Sequence, residues 1–129
     1  MNLKKIKYNE LNPRQKENYN FHKVASALAE YGYNSMRLND DWQGADFIAV
    51  KGDDMIKIQL KGRFTIDKKY KGKNIHVSFI ENGEVKIYKH DDALKIITEN
   101  IRISKSWREL GNYSWRKTPE SFKKIIKTI

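Results

Sequence analysis

Apolar residues recur at helical spacing near the start of the chain, with Phe21, Val24, Leu28 and Tyr31 three or four positions apart. Ahead of them, Asn12, Pro13 and Gln15 supply an N-cap, a first-turn proline and the reciprocal half of a capping box. Gly32 stands where such a helix ends. The pattern predicts a helix that opens at Pro13, with Glu17 four residues before Phe21 extending the stripe toward its start. The spacing then changes. Residues 34–39 alternate weakly, 45–51 are apolar almost throughout, as in a strand covered on both faces, and 55–61 alternate cleanly. In that last run Ile56, Ile58 and Leu60 point one way and Lys57, Gln59 and Lys61 the other. The tight "GDD" at 52–54 predicts an antiparallel hairpin, and Asn82-Gly83 predicts a second between "IHVSFI" and "VKIYK".

The last third reads as helical. Asp91 or Asp92 is placed to cap a helix bearing Leu94, Ile97 and Ile101, and Thr118-Pro119-Glu120 opens a last one with Phe122, Ile125, Ile126 and Ile129 on one face. Residues 102–118 show no firm period. The sum is an α+β chain of helix, four or five strands, then helices. At 129 residues it is expected to form one domain, with a core over about 12–90 and a C-terminal helical extension over 91–129.

Charge sharpens this picture. Twenty-six basic against sixteen acidic side chains leave a net +10, which favours a polyanionic partner because each cation that meets a phosphate releases counterions. An AT-rich genome also raises lysine, here 20 against 6 arginines, so charge alone does not decide between nucleic acid and plain solubility. Without cysteine there is neither a disulfide nor a thiolate zinc site. No apolar run has the length of a signal peptide or membrane span, and a cytoplasmic location is expected. The histidines lack metal-ligand spacing: His22 lies beside the helix stripe, His76 on a strand, and His90 at a helix start. No glycine loop of the phosphate-cradling kind is present.

Two strand-like runs carry residues that packing alone does not call for. Asp46 sits beside Phe47 and Ile48, and Gln59 and Lys61 flank Leu60. An ion pair at a sheet end is the plain structural explanation. With the preceding helix, however, "GADFIAV" and "IKIQLKGR" resemble the PD-(D/E)xK nuclease superfamily, whose restriction-endonuclease-like core is a mixed sheet flanked by helices. Gly44-Ala45-Asp46 matches the first motif and Gln59-Leu60-Lys61 the second, in an order similar to that of Holliday-junction resolvases. Glutamine where an acid usually stands resembles the Mrr-type restriction nucleases. The resemblance implies a metal-dependent DNA endonuclease, a hydrolase using Mg²⁺ or Mn²⁺. Asp46, the Gln59 amide oxygen and the Leu60 carbonyl would hold the ion, and Lys61 would act on the attacking water or the phosphate. Glu17 is the candidate compensating carboxylate from the first helix, with Asp40 and Asp41 as further candidates.

The segment 62–74 leaves the second motif with Arg63, Lys68, Lys69, Lys71 and Lys73 against Asp67 alone, around Tyr70. It is the expected DNA contact, with Trp42 and Gln43 placed to line the cleft, or Trp42 to cover the sheet end. So small a chain has little surface for sequence readout. Recognition of branched or structured DNA, a homodimer, or a partner subunit is therefore expected. The rival readings are a catalytically inactive DNA-binding member of the same fold and a protein-interaction module.

Overall fold

The structure, a computed structural model, describes residues 1–99 and 105–129. A 3-10 turn at Tyr8–Glu10 leads into helix α1 (Pro13–Ala29), followed by strands β1 (Asn34–Trp42), β2 (Ala45–Lys51), β3 (Asp54–Leu60) and β4 (Thr65–Asp67). After a second 3-10 turn at Lys68–Tyr70 come β5 (Ile75–Glu81), β6 (Glu84–Lys89), α2 (His90–Glu99), α3 (Lys105–Leu110) and β7 (Asn112–Ser114). A third 3-10 segment, Glu120–Ile125, precedes β8 (Lys127–Thr128). The main sheet has the order β1-β2-β3-β5-β6-β8, and β4 pairs with β7 in a separate ribbon. Among the described residues, only the β3–β5 pair of the main sheet is parallel. This is the α+β arrangement of a mixed central sheet flanked by helices that the sequence predicts.

Local chemistry accounts for most boundaries. The Asn12 side chain accepts the Gln15 N–H at 2.8 Å while the Gln15 side chain accepts the Asn12 N–H at 2.9 Å, closing the capping box that starts α1. Gly52 and the Asn82-Gly83 pair take positive φ in the two expected hairpin turns. Phe21, Val24 and Leu28 bury their side chains against Phe47, Ala49, Ile58, Val85 and Ile87 on one face of the sheet. The other face holds Val77, Phe79 and Tyr88 against α2 and an aromatic group centred on Phe64, with ring centroids 4.8 Å away at Phe122 and 4.9 Å away at Tyr88. The buried Tyr88 hydroxyl donates to the Thr65 carbonyl and accepts the Thr65 N–H, tying β4 to the sheet. No helix among the described residues is long and apolar enough to cross a membrane.

Several elements differ from the sequence reading. Tyr31 lies beyond α1 and is exposed, and Glu17 is an exposed residue rather than part of the buried stripe. Strand β2 buries one face and only half-buries the other. Strand β1 runs on past residue 39 to Trp42 and so includes Asp40 and Asp41. Asp91 and Asp92 occupy the first turn of α2, where acids suit the helix dipole, and the Asp91 carboxylate accepts the Gly72 N–H. Ile101 falls outside the described residues. The predicted last helix is instead the 3-10 segment, which buries Phe122 before Ile126 turns extended and β8 joins the sheet edge, where the Ile129 N–H bonds to the Val85 carbonyl at 3.0 Å. A free sheet edge offers backbone partners that helical spacing in the sequence does not reveal.

His90, fully buried at the start of α2, accepts the Asp67 N–H through Nε2 at 3.0 Å. Burial holds its pKa below the usual 6.5, and burial followed by the charge on Lys89 does the same to His76. A base with a depressed folded-state pKa contributes its full stability above the unfolded value and loses it as pH falls toward the folded value. Thermal stability is therefore expected to decline from pH 7 to pH 5, by at most about 1.4 kcal/mol per pH unit for each histidine. Calorimetry across that range should show a shallower decline in His76→Asn; an unchanged slope would exclude His76 as a contributor.

Candidate metal and phosphate site

The ladder between β2 and β3 runs from Lys51–Asp54 to Phe47–Ile58 and goes no further. Beyond it the strands part, and Asp46 fills the gap with its side chain: Oδ2 accepts the Leu60 N–H at 2.7 Å, a donor that would otherwise lack its strand partner. β5 holds the opposite edge of β3 through the Leu60–Ser78 pairing, and the Lys61 N–H continues to the Ser78 carbonyl at 3.0 Å. Directly paired residues share a face, so Ile48 opposite Lys57 puts Asp46, Lys57, Gln59 and Lys61 on one side of the sheet. The Gln59 side chain turns back on the strand, Nε2 donating to the Leu60 carbonyl at 3.3 Å.

The electrostatics centre on Asp46. Burial raises its carboxyl pKa above the usual value; the Leu60 N–H and the Lys61 ammonium oppose that shift, while the charges of Glu17 and Asp41 add to it. An incompletely hydrated carboxylate with further acids nearby is an anion in want of a cation. Among the described residues no three His, Cys, Asp or Glu side chains converge as a metal cluster. A metal ion at this strand end could draw on one carboxylate, one amide and one carbonyl, those of Asp46, Gln59 and Leu60. They are hard ligands of the type magnesium accepts, and a partly hydrated ion needs few of them.

Other candidate residues surround this notch. Glu17 is engaged by Arg37, whose guanidinium lies 3.2 Å from Oε1, bonds Asn18 Oδ1 at 2.6 Å and stacks on the Phe21 ring at 4.9 Å. Sequence reasoning missed Arg37; a lone arginine at a half-alternating strand position was the available signal. Gln43 and Gly44 turn the β1–β2 hairpin with φ of 54° and 86°. The Gln43 side chain accepts Lys57 Nζ at 2.7 Å, and that ammonium also lies 5.6 Å from the centre of the exposed Trp42 ring.

The segment 62–74 is not a solvent loop. Phe64, Ile66 and Tyr70 are core residues, and the basic side chains remain outside. Tyr70, expected to touch nucleic acid, instead packs edge-on to His90 and lies 5.5 Å, centroid to nitrogen, from Lys61 Nζ. A buried ring has no face for a base; what it offers is support for the lysine. Among the cations, Arg63 donates to Ser114 Oγ at 3.0 Å, Lys68 lies over the Trp107 ring at 5.0 Å, and Lys69 is 3.7 Å from Asp67. Lys71 and Lys73 are exposed.

No family model matches the sequence, and no curated protein matches it. Among solved structures, the Holliday junction resolvase Hjc of the archaeal hyperthermophile Archaeoglobus fulgidus is similar over 53% of this chain and 74% of its own, with a TM-score of 0.43 and 10% identity.

Proposed function

We propose that the chain is a metal-dependent endonuclease that hydrolyses DNA phosphodiester bonds at the notch between β2 and β3. One observation carries the reading: a half-buried carboxylate, Asp46, wedged between diverging strands on the same sheet face as Gln59 and Lys61. The two motifs that resemble the PD-(D/E)xK nucleases coincide with this notch, and the net charge of +10 suits a polyanion. Asp46, the Gln59 amide oxygen and the Leu60 carbonyl would hold a magnesium or manganese ion, with Glu17 as an outer carboxylate. Such an ion supplies charge neutralisation at the phosphate and a more acidic bound water. Lys61, steadied by Tyr70, neutralises charge developing on the phosphate and orients the attacking water. Arg63, Lys68, Lys69, Lys71 and Lys73, with Trp42, Gln43 and Lys57, track the strand on either side.

Gln59 brings an oxygen without a charge. Gln59→Glu is expected to lower the magnesium concentration for half-maximal plasmid nicking by about tenfold, the equivalent of ~1.4 kcal/mol. Titration of cleavage with Mg²⁺ and Mn²⁺ checks this, and a requirement unchanged by the substitution would place the ion away from Gln59. The neutrality of Gln59 also favours a second reading, a DNA-binding protein that has lost its metal. In that case wild type fails to cleave with either ion although it binds DNA.

A further inference from the structure

The end of the molecule that carries Lys61 has a second feature, on the other side of the sheet. Tyr8, in the first 3-10 turn, and Tyr19, on α1, meet edge to face with centroids 5.2 Å apart, yet remain 42% and 40% exposed. The Tyr8 hydroxyl donates to Asn20 Oδ1 at 3.2 Å, which fixes the turn against the helix. Below the pair is a cleft of about 260 Å³ whose floor is Ile80, Gly62 and Gly83. Gly62, which lines the cleft, directly follows Lys61, and nothing lies within 4 Å of where its Cβ would stand, so the chain itself puts no side chain between the cleft and that lysine. Each ring is accompanied by an ammonium, Lys16 Nζ at 5.6 Å from Tyr8 and Lys23 Nζ at 5.6 Å from Tyr19. The acid of the turn, Glu10, is occupied by the Lys7 N–H at 2.8 Å.

We infer that this cleft receives an unpaired nucleobase of the strand entering the Asp46 notch, stacked on Tyr8 and Tyr19, with its flanking phosphates on Lys16 and Lys23. The inference rests on the nuclease reading for where the strand goes and adds the substrate class, nucleic acid with a single-stranded or splayed segment beside the scissile phosphate. The chemistry selects that occupant. A base inside a duplex has both faces stacked already, whereas an unpaired one gains from an aromatic face whatever its sequence. Tyrosine offers a large, amphipathic surface with few torsions to freeze. The two lysines lie on flexible stems over exposed rings, a weak contact in water, and swing to phosphates without backbone movement.

The test is binding of the full chain, in EDTA, to fluorescent single-stranded and blunt double-stranded oligonucleotides of one sequence, read by anisotropy. Wild type is expected to prefer the single strand. Tyr8→Leu and Tyr19→Leu should each weaken single-strand binding about tenfold and leave duplex binding unchanged, with Tyr19→Phe restoring it. Lys16→Gln should reduce the salt slope by about one. Equal affinity of wild type for the two forms, or equal loss on both in the tyrosine variants, overturns the inference, as does a preference for an acidic peptide competitor. The wild-type preference decides even if a leucine variant unfolds. Because EDTA removes any cleavage step, a preference without later Mg²⁺-dependent cleavage sinks the nuclease reading alone, and cleavage without the preference sinks this inference alone.

Discussion

Asp46→Asn and Lys61→Ala are each expected to lower metal-dependent cleavage by about 10³-fold, or ~4 kcal/mol in the barrier. The first removes the anionic donor, and the second removes the cation on the same sheet face. The stability signature separates this role from a structural ion pair. Burial is the largest influence on Asp46 and raises its pKa, so the ionised form is the disfavoured one in the folded chain. Such a group contributes most stability below its unfolded pKa and loses it as pH rises through the folded value. At neutral pH the carboxylate therefore costs stability, and an asparagine oxygen can still accept the Leu60 N–H. Asp46→Asn should melt at or above the wild-type temperature in EDTA and lose the stabilisation that Mg²⁺ is expected to give wild type. A marked drop in Tm would identify Asp46 as a structural partner of β3, and cleavage that survives both substitutions would move the site elsewhere.

The second large effect is expected at Gly44. A methyl there would stand 2.8 and 2.9 Å from two carbons of the Tyr70 ring, with φ at +86°, where L-residues are strained. Overpacking and the backbone cost together should make Gly44→Ala less stable by about 2–4 kcal/mol, roughly 10 °C in Tm. Gly52 supplies the control. It shares the positive φ, but nothing lies within 4 Å of its Cβ position, so Gly52→Ala should lose only the backbone share. A cycle combining Gly44→Ala with Tyr70→Leu should recover part of the loss by removing the ring that the methyl strikes. If Gly44→Ala and Gly52→Ala melt alike, the ring contact carries no energy. The contact reaches into the site because the same ring lies beside Lys61, so the glycine ahead of Asp46 and the lysine after Gln59 share one support.

Local signals were strong where they were covalently close. The capping box and the Asn82-Gly83 turn each state their geometry within a few residues, and their elements stand where the sequence puts them. The 55–61 alternation likewise put Gln59 and Lys61 on one face, because side chains along a strand alternate whatever lies beside it. Tyr70 shows the opposite case. In sequence it is an aromatic among lysines, but 62–74 must cross between the parallel strands β3 and β5, and a crossover covers the sheet face with its apolar residues. The C-terminal isoleucines show it too, since their spacing fits a helix turn and is put to use at the edge of β6.

From the sequence alone came the α+β class, the hairpins, and an acid, an amide and a lysine at spacings that bring them to one sheet end. The periodicities of strand and helix are local, and a chain of 129 residues reveals them without its fold. Tertiary structure alone decided that β2 and β3 part so that Asp46 caps Leu60, that Arg37 engages Glu17, and that Tyr70 turns inward beneath Lys61. Those contacts join residues 14 to 20 positions apart, or 9 for the ring and the lysine, across separate elements. Their geometry depends on which faces are left to bury once the sheet has formed.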